Sequence, residues 1–496
     1  MGKTFLYNTI CTKLHSQGKI ILCFSSSGIS LLLICGGWTA YSTFKIPIDL
    51  LNERSVCAIL KNSPRTNLIC STIAIIWEEI GAQHWHAVEA VDWTLRDICN
   101  NGWPFAGITT VLGGDFLQTL PVVPKGSCED IVDATIQRSH LWKNTKILFL
   151  HQNMHLDRAS ADVRQFSQWL LDVGHGWNFM NNSQIRLPEH MRVDDVGSLI
   201  DSIYSDVDSN PPPPPDYFLN QMILTPWNSD VGELNQWILD RMSGDVQQYI
   251  SADDMIHEVG ADPEDDEDIP VEFLRSVNSS SLPPGELNLK VGCPIILLHN
   301  LSPSWGLCNG THMIVTRMCD RVLEVRLIRG EHDGEIALIP HITLTPTSST
   351  ADVTFKFKWC QFPVWLAFAL SVNKAQGQSV QYVGLDLRIP VFAHGQIYVA
   401  LSQATSSQNI KILLSDDVTE PLTSNVVYEE VLLNWIYRKV VNMSLNHISN
   451  LNITPLRALL LLTQTLTGMI FNLLEWSHSI CLSGSLLNYQ ETLGKF

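Results

Sequence analysis

The first residues of the chain are of the types that hold a nucleotide phosphate. Met1-Gly2-Lys3-Thr4 leads into a helix-like stretch and matches the end of the pattern G-x-x-x-x-G-K-[ST]. In that pattern the lysine reaches the β- and γ-phosphates of ATP, and the hydroxyl binds Mg²⁺. Gly2, Lys3 and Thr4 are therefore candidate ATP-binding residues, and Thr4 is also a candidate metal ligand. Because any long chain can contain G-K-T, the tripeptide alone is weak evidence.

Two acidic residues and one glutamine extend this phosphate chemistry. The apolar run of residues 75–77 ends in Glu78 and Glu79; in a P-loop ATPase the first acid holds Mg²⁺ and the second polarises the attacking water. The next strand-like run ends in residues 113–122, GGDFLQTLPV, where Gln118 suits a γ-phosphate sensor that also couples to DNA. Glu78 is thus a candidate metal ligand, and Glu79 and Gln118 are candidate catalytic residues. Adjacent acids are also common at a solvated strand end, and this alternative stays open.

A further stretch lacks the residue that its pattern needs. Residues 392–405, FAHGQIYVALSQAT, nearly match the last motif of a DNA helicase, in which an arginine does the chemistry. A guanidinium there would reach the γ-phosphate and neutralise the charge that develops during hydrolysis. Gln403 occupies that position, and its amide can form hydrogen bonds but brings no positive charge.

These motifs need a scaffold that positions them. Apolar runs typical of buried strands occupy residues 19–24, 71–77, 108–112 and 145–150, and each runs into small or polar residues. The pattern predicts a doubly wound α/β domain that binds its ligands at the carboxyl ends of parallel strands. A second α/β pattern restarts at Met222, and short strand-like runs between about residues 287 and 358 suggest a small β module.

Composition limits the class of protein. A length of 496 residues allows two or three domains, and 45% hydrophobic with 17% charged residues indicates a globular chain. A net charge of −18 argues against a histone-like nucleic-acid binder but not against a narrow, locally basic channel for a single strand. The twelve cysteines form no C-x-x-C pair, so we expect no zinc site, no disulfide framework and a reducing compartment. Polar residues interrupt the apolar run at residues 458–474, which favours a buried helix or a non-native tail over a membrane span.

Taken together, the motifs identify a family. The chain resembles the PIF-one family of DNA helicases, particularly the form carried by Helitron rolling-circle transposons, over about residues 2–414. Besides the motifs above, the resemblance rests on residues 25–29, 39–47, 307–311 and 372–379, which read SSSGI, TAYSTFKIP, LCNGT and VNKAQGQS. It implies an α/β fold of two RecA-like P-loop NTPase domains, with ATP in the cleft between them and a small β-barrel insertion in the second domain. It also implies an ATP-dependent helicase that moves 5′-to-3′ on single-stranded DNA.

The resemblance assigns further residues and partners. By motif match, Gly377 joins the three N-terminal residues in binding ATP, with Mg²⁺ as the second cofactor. Phe44, Thr225 and Asn228 would contact DNA, because a phenyl ring suits base stacking and the two polar side chains suit phosphate contact. Phe44 could equally be a core aromatic. The expected partners are single-stranded DNA and duplex junctions, with no membrane, for a monomer in the nucleus or alternatively the mitochondrion.

Several arginines usual in the family are replaced. The two arginines that would clamp the γ-phosphate are replaced by His155 and Gln403. Both positions are therefore candidate catalytic positions at which the arginine has been lost. The family also usually has an arginine at five positions that carry other residues in this chain: Trp38, Cys128, His299, His312 and Trp365. The first acid of the Glu78-Glu79 pair is usually an aspartate in the family. The longer side chain of Glu78 could distort the coordination geometry of Mg²⁺. Trp, Cys, His and Gln all arise by single C-to-T changes in arginine codons that begin CG, so we hypothesise a decayed, N-terminally truncated transposon copy. Ordinary divergence is the alternative.

The expected organisation follows the same resemblance. Residues 1–156 form the first RecA-like domain, with the strand and most of the glycine loop of the P-loop expected before residue 1. Residues 157–221 are a linker region with a proline run, and residues 222–286 and 359–440 form the second RecA-like domain. Residues 287–358 form the barrel-like insertion, and residues 441–496 are an unassigned tail. The activity would serve DNA repair, recombination or rolling-circle transposition; a catalytically dead single-stranded-DNA-binding pseudo-helicase is the alternative.

Overall fold

The computed structural model describes most of the first 432 residues. The described residues are 2–26, 34, 37–47, 51–150, 160–180, 183–209, 213–255, 282–302, 305–328, 330, 332–344 and 357–432. The chain divides into two compact units, residues 1–146 with 150–432 and residues 147–149 with 433–496; all elements below belong to the first. No described helix is long and apolar enough to cross a membrane. His155 and the apolar run at residues 458–474 lie outside the described residues.

Four parallel strands form the first sheet. They are β1 (Ile21–Ser25), β2 (Trp38–Thr39), β3 (Ala74–Glu78) and β4 (Thr109–Leu112), in the order β2-β1-β3-β4. The helices of this region are α1 (Lys3–His15), α2 (Ala40–Phe44), α3 (Pro64–Cys70), α4 (Trp85–Ile98), α5 (Cys128–Asp133) and α6 (His140–Lys143). Strand β3 is buried along its whole length, as its β-branched and aromatic run requires. The strand predictions at residues 19–24, 71–77 and 108–112 are confirmed.

Residues 145–150, predicted as a further strand, form none in the described structure. Their side chains alternate between half-buried and exposed, and Leu148 is 80% exposed. A parallel strand covered on both faces would enclose every side chain. The apolar composition of this stretch therefore misled the prediction.

A second parallel sheet has five strands. They are β6 (Arg192–Val193), β7 (Gln221–Thr225), β18 (Ala369–Ser371), β19 (Tyr382–Leu387) and β20 (Ile410–Leu414), in the order β18-β7-β19-β20-β6. The helices of this region are α7 (Ala161–His175), α8 (Val196–Ile203), α9 (Asn228–Arg241) and α10 (Gln396–Ser402). Strand β6 and helices α7 and α8 fall inside residues 157–221, the segment predicted to be a linker. Strand β6 pairs with β20 and so belongs to the second sheet, which the sequence did not indicate because two-residue strands give no sequence pattern.

The remaining strands are antiparallel. These strands are β5 (Gln184–Arg186), β8 (Gln247–Ile250), β9 (Ala252–Met255), β10 (Glu286–Leu289), β11 (Pro294–Leu297), β12 (His312–Met318), β13 (Val322–Leu327), β14 (Ile336–Pro340), β15 (Ile342–Leu344), β16 (Phe357–Gln361), β17 (Val364–Leu366) and β21 (Leu422–Ser424). All of them except β5 and β21 lie in the chain between β7 and β18. One five-stranded sheet has the order β14-β13-β12-β11-β17, and smaller sheets have the orders β10-β8, β15-β16-β9 and β21-β5. Closure of these strands into a barrel stays a prediction.

One disulfide contradicts the expectation from cysteine spacing. Cys70 at the end of α3 and Cys99 just after α4 are bonded, with Cα atoms 5.5 Å apart and a sequence separation of 29. The packing of α3 against α4 brings the two thiols together. Spacing along the chain could not reveal a pair that depends on helix packing.

Candidate functional site

The helix that starts the described chain places a lysine over the end of the first sheet. Helix α1 begins at Lys3, and its N-cap Gly2 has a left-handed conformation with φ 76°. Lys3 Nζ lies 2.9 Å from Glu78 Oε1 at the carboxyl end of β3. Burial lowers the pKa of Lys3, but three nearby carboxylates reverse this and raise it well above its ordinary value. Those carboxylates belong to Glu78, Glu79 and Asp115, and they keep the lysine positively charged.

Glu79 is held in a conformation that an ordinary residue avoids. It has φ 57° and is 5% exposed. A non-glycine residue in the left-handed region costs about 1–3 kcal/mol and persists only where its surroundings impose it. Here the backbone N–H groups of Ile80 and Gly113 donate to Gly113 and Trp77 carbonyls, each at 2.8 Å. Burial raises the pKa of Glu79, and the Lys3 charge partly offsets that rise.

The glycines of the GGDFLQ motif let the loop after β4 pass close to Glu78. A Cβ on Gly113 would lie 1.8 Å from the Tyr7 hydroxyl oxygen and 2.3 Å from Glu78 Oε2. Burial and the adjacent Glu78 carboxylate raise the pKa of Tyr7, so its phenol stays protonated. Any side chain at position 113 would therefore displace the loop that carries Gln118.

A glutamine from the second sheet reaches this loop and Glu79. Gln376 lies shortly after β18 in the chain, and it is 6% exposed. Its Nε2 donates to Glu79 Oε2 at 2.9 Å and to Gln118 Oε1 at 3.0 Å. Thr119 Oγ1 donates to Gln376 Oε1 at 2.5 Å. Glu79 and Gln118, which the sequence predicts as catalytic, are thus brought together through a residue to which the sequence gave no role. Its only signal was its place inside VNKAQGQS.

A second contact joins the same loop to the segment before α10. His394 Nε2 lies 2.8 Å from the Phe116 carbonyl oxygen, and the Tyr428 backbone N–H donates to His394 Nδ1 at 2.8 Å. The accepting Nδ1 requires the proton to be on Nε2, and burial lowers the pKa of His394, so the ring is neutral. The next residue, Gly395, has φ 73°, and a Cβ there would lie 2.5 Å from the Leu117 carbonyl oxygen. Sequence reasoning missed both contacts.

Gln403 does not join this network. Its side chain is 3% exposed, and Nε2 donates to the Val399 carbonyl oxygen of its own helix at 2.9 Å. Its Oε1 is buried and has no hydrogen-bond partner within the described part of the chain. The position expected to hold the arginine therefore carries an inward-facing amide. His155, the other such position, lies outside the described residues, and Gly377 (φ 84°) keeps its ATP-binding role only as a prediction.

Two of the three predicted DNA contacts are corrected by burial. Phe44 is fully buried, with its ring centroid 4.6 Å from that of Phe24 and 6.0 Å from that of Trp77, so it is a core aromatic. Thr225 is also fully buried, and its hydroxyl donates to Asp230 Oδ2 at 3.4 Å. An enclosed hydroxyl beside a carboxylate is not available to a phosphate. Asn228, at the start of α9, is exposed.

An aromatic pair that the sequence did not single out lies next to Asn228. Trp227 and Phe392 are 39% and 49% exposed, and their ring centroids are 4.3 Å apart. Trp227 Nε1 donates to the Pro390 carbonyl oxygen at 3.2 Å, which fixes the indole. The rings follow the neighbouring strands β7 and β19, so both lie at the carboxyl edge of the second sheet.

The carboxylate end of β3 fits a divalent cation. Glu78 Oε1 is paired with Lys3, whereas the buried Oε2 lies next to the Tyr7 phenol without a hydrogen bond of ordinary geometry among the described residues. A buried carboxylate oxygen without a partner is costly, and oxygen ligands are those that Mg²⁺ prefers. Glu78, together with the Thr4 hydroxyl at the start of α1, could hold the ion.

Family models match two parts of the chain. A model of the PIF1-like helicases covers residues 1–184, and a model of the 2B domain of the DNA helicase Pif1 covers residues 272–318. The ATP-dependent DNA helicase Pif1 of Psychrobacter sp. is 24% identical over 464 residues, which cover 84% of this chain and 65% of that protein. Its mouse counterpart is 25% identical over 446 residues, which cover 86% and 58%. The chain therefore spans less than two thirds of either relative.

Solved structures share the fold. The crystal structure of Bacteroides Pif1 bound to ssDNA has a TM-score of 0.63 at 19% identity, covering 88% of this chain and 90% of that one. Pif1 helicase from Candida albicans has a TM-score of 0.59 at 22% identity, covering 88% and 93%. With the two parallel sheets, these likenesses confirm the predicted α/β fold of two RecA-like domains.

Proposed function

Because the chain belongs to the PIF1-like helicase family, we propose that it is an ATP-dependent DNA helicase that couples ATP hydrolysis to 5′-to-3′ movement along single-stranded DNA. The observation that carries the proposal is the Lys3–Glu78 contact of 2.9 Å with buried Glu79 beside it. This places one cation and two carboxylates where the α1 N-terminus meets the end of β3. A phosphate, a divalent ion and an attacking water need that set of charges.

Each residue has a distinct part in the proposed reaction. Lys3 attracts the terminal phosphates of ATP, and Glu79 takes the proton of the attacking water. Gln118 orients that water from the loop after β4. Bound Mg²⁺ would neutralise phosphate charge, with Thr4 and Glu78 as its protein ligands.

Single-stranded DNA is the proposed polymer partner, with duplex junctions as the substrate that is opened. The exposed Trp227–Phe392 pair supports this, because aromatic faces stack on bases of any sequence. A related structure is described as two coordinating Pif1 helicases at forked dsDNA; for this chain we propose a monomer. We also propose a nuclear role in DNA repair, recombination or rolling-circle transposition. Duplexes with a single 5′ or 3′ tail test the direction, and unwinding only from 3′ tails would reverse it.

A second candidate function is binding to single-stranded DNA without hydrolysis. It is favoured by Gln403, whose uncharged amide bonds within its own helix. The chain would then be the pseudo-helicase of a decayed transposon copy.

ATP hydrolysis with and without single-stranded DNA tests both candidates. DNA-stimulated turnover that is lost in Lys3→Ala is the expected result for a helicase. Lys13→Ala is the matched control, because Lys13 lies on the same helix but is exposed. Turnover no higher than in Lys3→Ala, from folded protein that still binds DNA, would leave the binding function.

A further inference from the structure

The hydrogen bond from Gln376 to Glu79 suggests a function for Gln376, to which no role has been assigned so far. Gln376 uses both halves of its amide: the carbonyl oxygen accepts from Thr119, and the NH₂ group donates to Glu79 and Gln118. A glutamate would have no N–H to donate, and an asparagine would be one methylene shorter. The site therefore specifies a glutamine by chemistry and by reach.

Gln376 is attached firmly to the second sheet, so the position of its side chain depends on the position of that sheet. It follows strand β18, which pairs with β7, and the short helix of residues 372–375 that leads to it has a buried side chain at each end. Its partners lie 257 to 297 residues earlier in the chain, in the segments that follow β3 and β4 of the first sheet. The three hydrogen bonds can form together only when the two sheets are in their present arrangement.

Gln403 offers no such contact. Its Nε2 donates within α10, and its Oε1 is unpaired among the described residues. Of Gln376 and Gln403, only Gln376 contacts Glu79 and Gln118.

We propose that Gln376 is a positioning residue for ATP hydrolysis, which orients Glu79 and Gln118 from the second sheet so that the catalytic geometry is complete only when the two sheets are together. The inference rests on the proposed hydrolytic function. Gln376 itself contacts neither phosphate nor water in this role; it acts through the two side chains it holds. A buried hydrogen bond to a charged group contributes enough that its loss slows a reaction by about 10- to 100-fold.

The test compares two buried glutamines of the same segment. Gln376→Ala removes the bonds to Glu79 and Gln118, whereas Gln378→Ala removes an amide that contacts His312 in the antiparallel region. The readouts are kcat and KM for DNA-stimulated ATP hydrolysis, the Kd of a fluorescent ATP analogue, and the melting temperature. We expect Gln376→Ala to lower kcat by about 10- to 100-fold with KM and Kd within about twofold, and Gln378→Ala to match wild type.

Gln376→Glu separates positioning from packing. Glutamate keeps the volume but lacks the N–H donors and sets a second carboxylate against Glu79, so its kcat should fall at least as far as that of the alanine variant. A kcat near wild type for Gln376→Glu, or equal kcat values for Gln376→Ala and Gln378→Ala, overturns the proposal while the helicase function stands. If the wild-type chain hydrolyses no ATP, both the positioning role of Gln376 and the proposed helicase function are overturned. The measurement on the wild type alone distinguishes this outcome from the others.

Thr119→Val keeps the question answerable if the Gln376 variants do not fold. It removes only the hydroxyl that holds Gln376 Oε1 and keeps the side-chain volume. A kcat several-fold below wild type, at unchanged KM, supports the role of Gln376. An unchanged kcat contradicts it.

Discussion

The two parallel sheets meet the proposed nucleotide site with different chemistry. The first sheet contributes charge, in the 2.9 Å Lys3–Glu78 pair and the buried carboxylate of Glu79. The second sheet contributes neutral groups, among them Gln376 and the neutral His394, which form hydrogen bonds to the first. A site of this kind can align a reaction from both sides but can stabilise its developing charge from only one.

Restoring charge on the second sheet should have the largest effect. We expect Gln403→Arg to raise kcat for ATP hydrolysis by about 10³-fold or more, because an arginine finger stabilises the charge of the transition state. Steady-state hydrolysis with saturating single-stranded DNA measures it. Gln408→Arg adds the same charge at an exposed position and should change little. If kcat is no higher than in that control, a missing positive charge is not what limits the contribution of the second sheet to hydrolysis.

Removing charge from the first sheet should have the next largest effect. Glu79→Gln keeps the size of the side chain but removes the proposed base, so kcat should fall by about 10²- to 10⁴-fold while ATP binding persists. Glu129→Gln, at an exposed carboxylate in the first turn of α5, is the control. Comparable losses in the two variants would contradict a catalytic role for Glu79.

The aromatic pair gives the second sheet a function that needs no charge. We expect Trp227→Ala to weaken binding of single-stranded DNA by about tenfold to a hundredfold, the value of one or two stacked bases. Fluorescence anisotropy with a labelled oligonucleotide measures the Kd. Trp103→Ala is the control because Trp103, on the first sheet's side, is 73% exposed. An oligonucleotide of abasic sites should bind both variants equally; a Trp227→Ala defect that persists there would exclude stacking.

The smallest effect concerns pH and His394. Because burial lowers the pKa of His394 in the folded state, the unfolded chain takes up its proton first as pH falls. The stability that the neutral ring contributes is therefore complete above its ordinary pKa of about 6.5 and is lost as pH falls towards the folded value. Denaturant unfolding at pH 7.5 and pH 5.5 should show a smaller loss of stability for His394→Gln than for wild type. An identical loss would mean that other groups carry the pH dependence.

Local patterns predicted the parts of this molecule that local physics decides. Strand β3 and the acids after it could be read from the sequence, because a run of β-branched residues specifies a buried strand and the acids can only follow at its edge. Residues whose role depends on packing could not be read in this way: Phe44, for which base stacking and a core position were both open, lies in the core, and Thr225 is enclosed beside Asp230. The missed ones depended on contacts between distant segments, such as Gln376 with Glu79 and Cys70 with Cys99. No spacing rule reaches 297 residues along a chain.

Gly395 has a mechanical consequence. With no side chain at this position, its backbone lies directly against the carbonyl groups of Leu117 and Gln118, so no deformable layer separates the two sheets there. Close-packed protein has low compressibility and transmits strain. Any movement of the second sheet towards the first must therefore push the loop that carries Gln118 by nearly the same distance, and any retreat must open a gap. The contact behaves as a rigid stop, and it lets the nucleotide site respond to displacements much shorter than the length of a side chain.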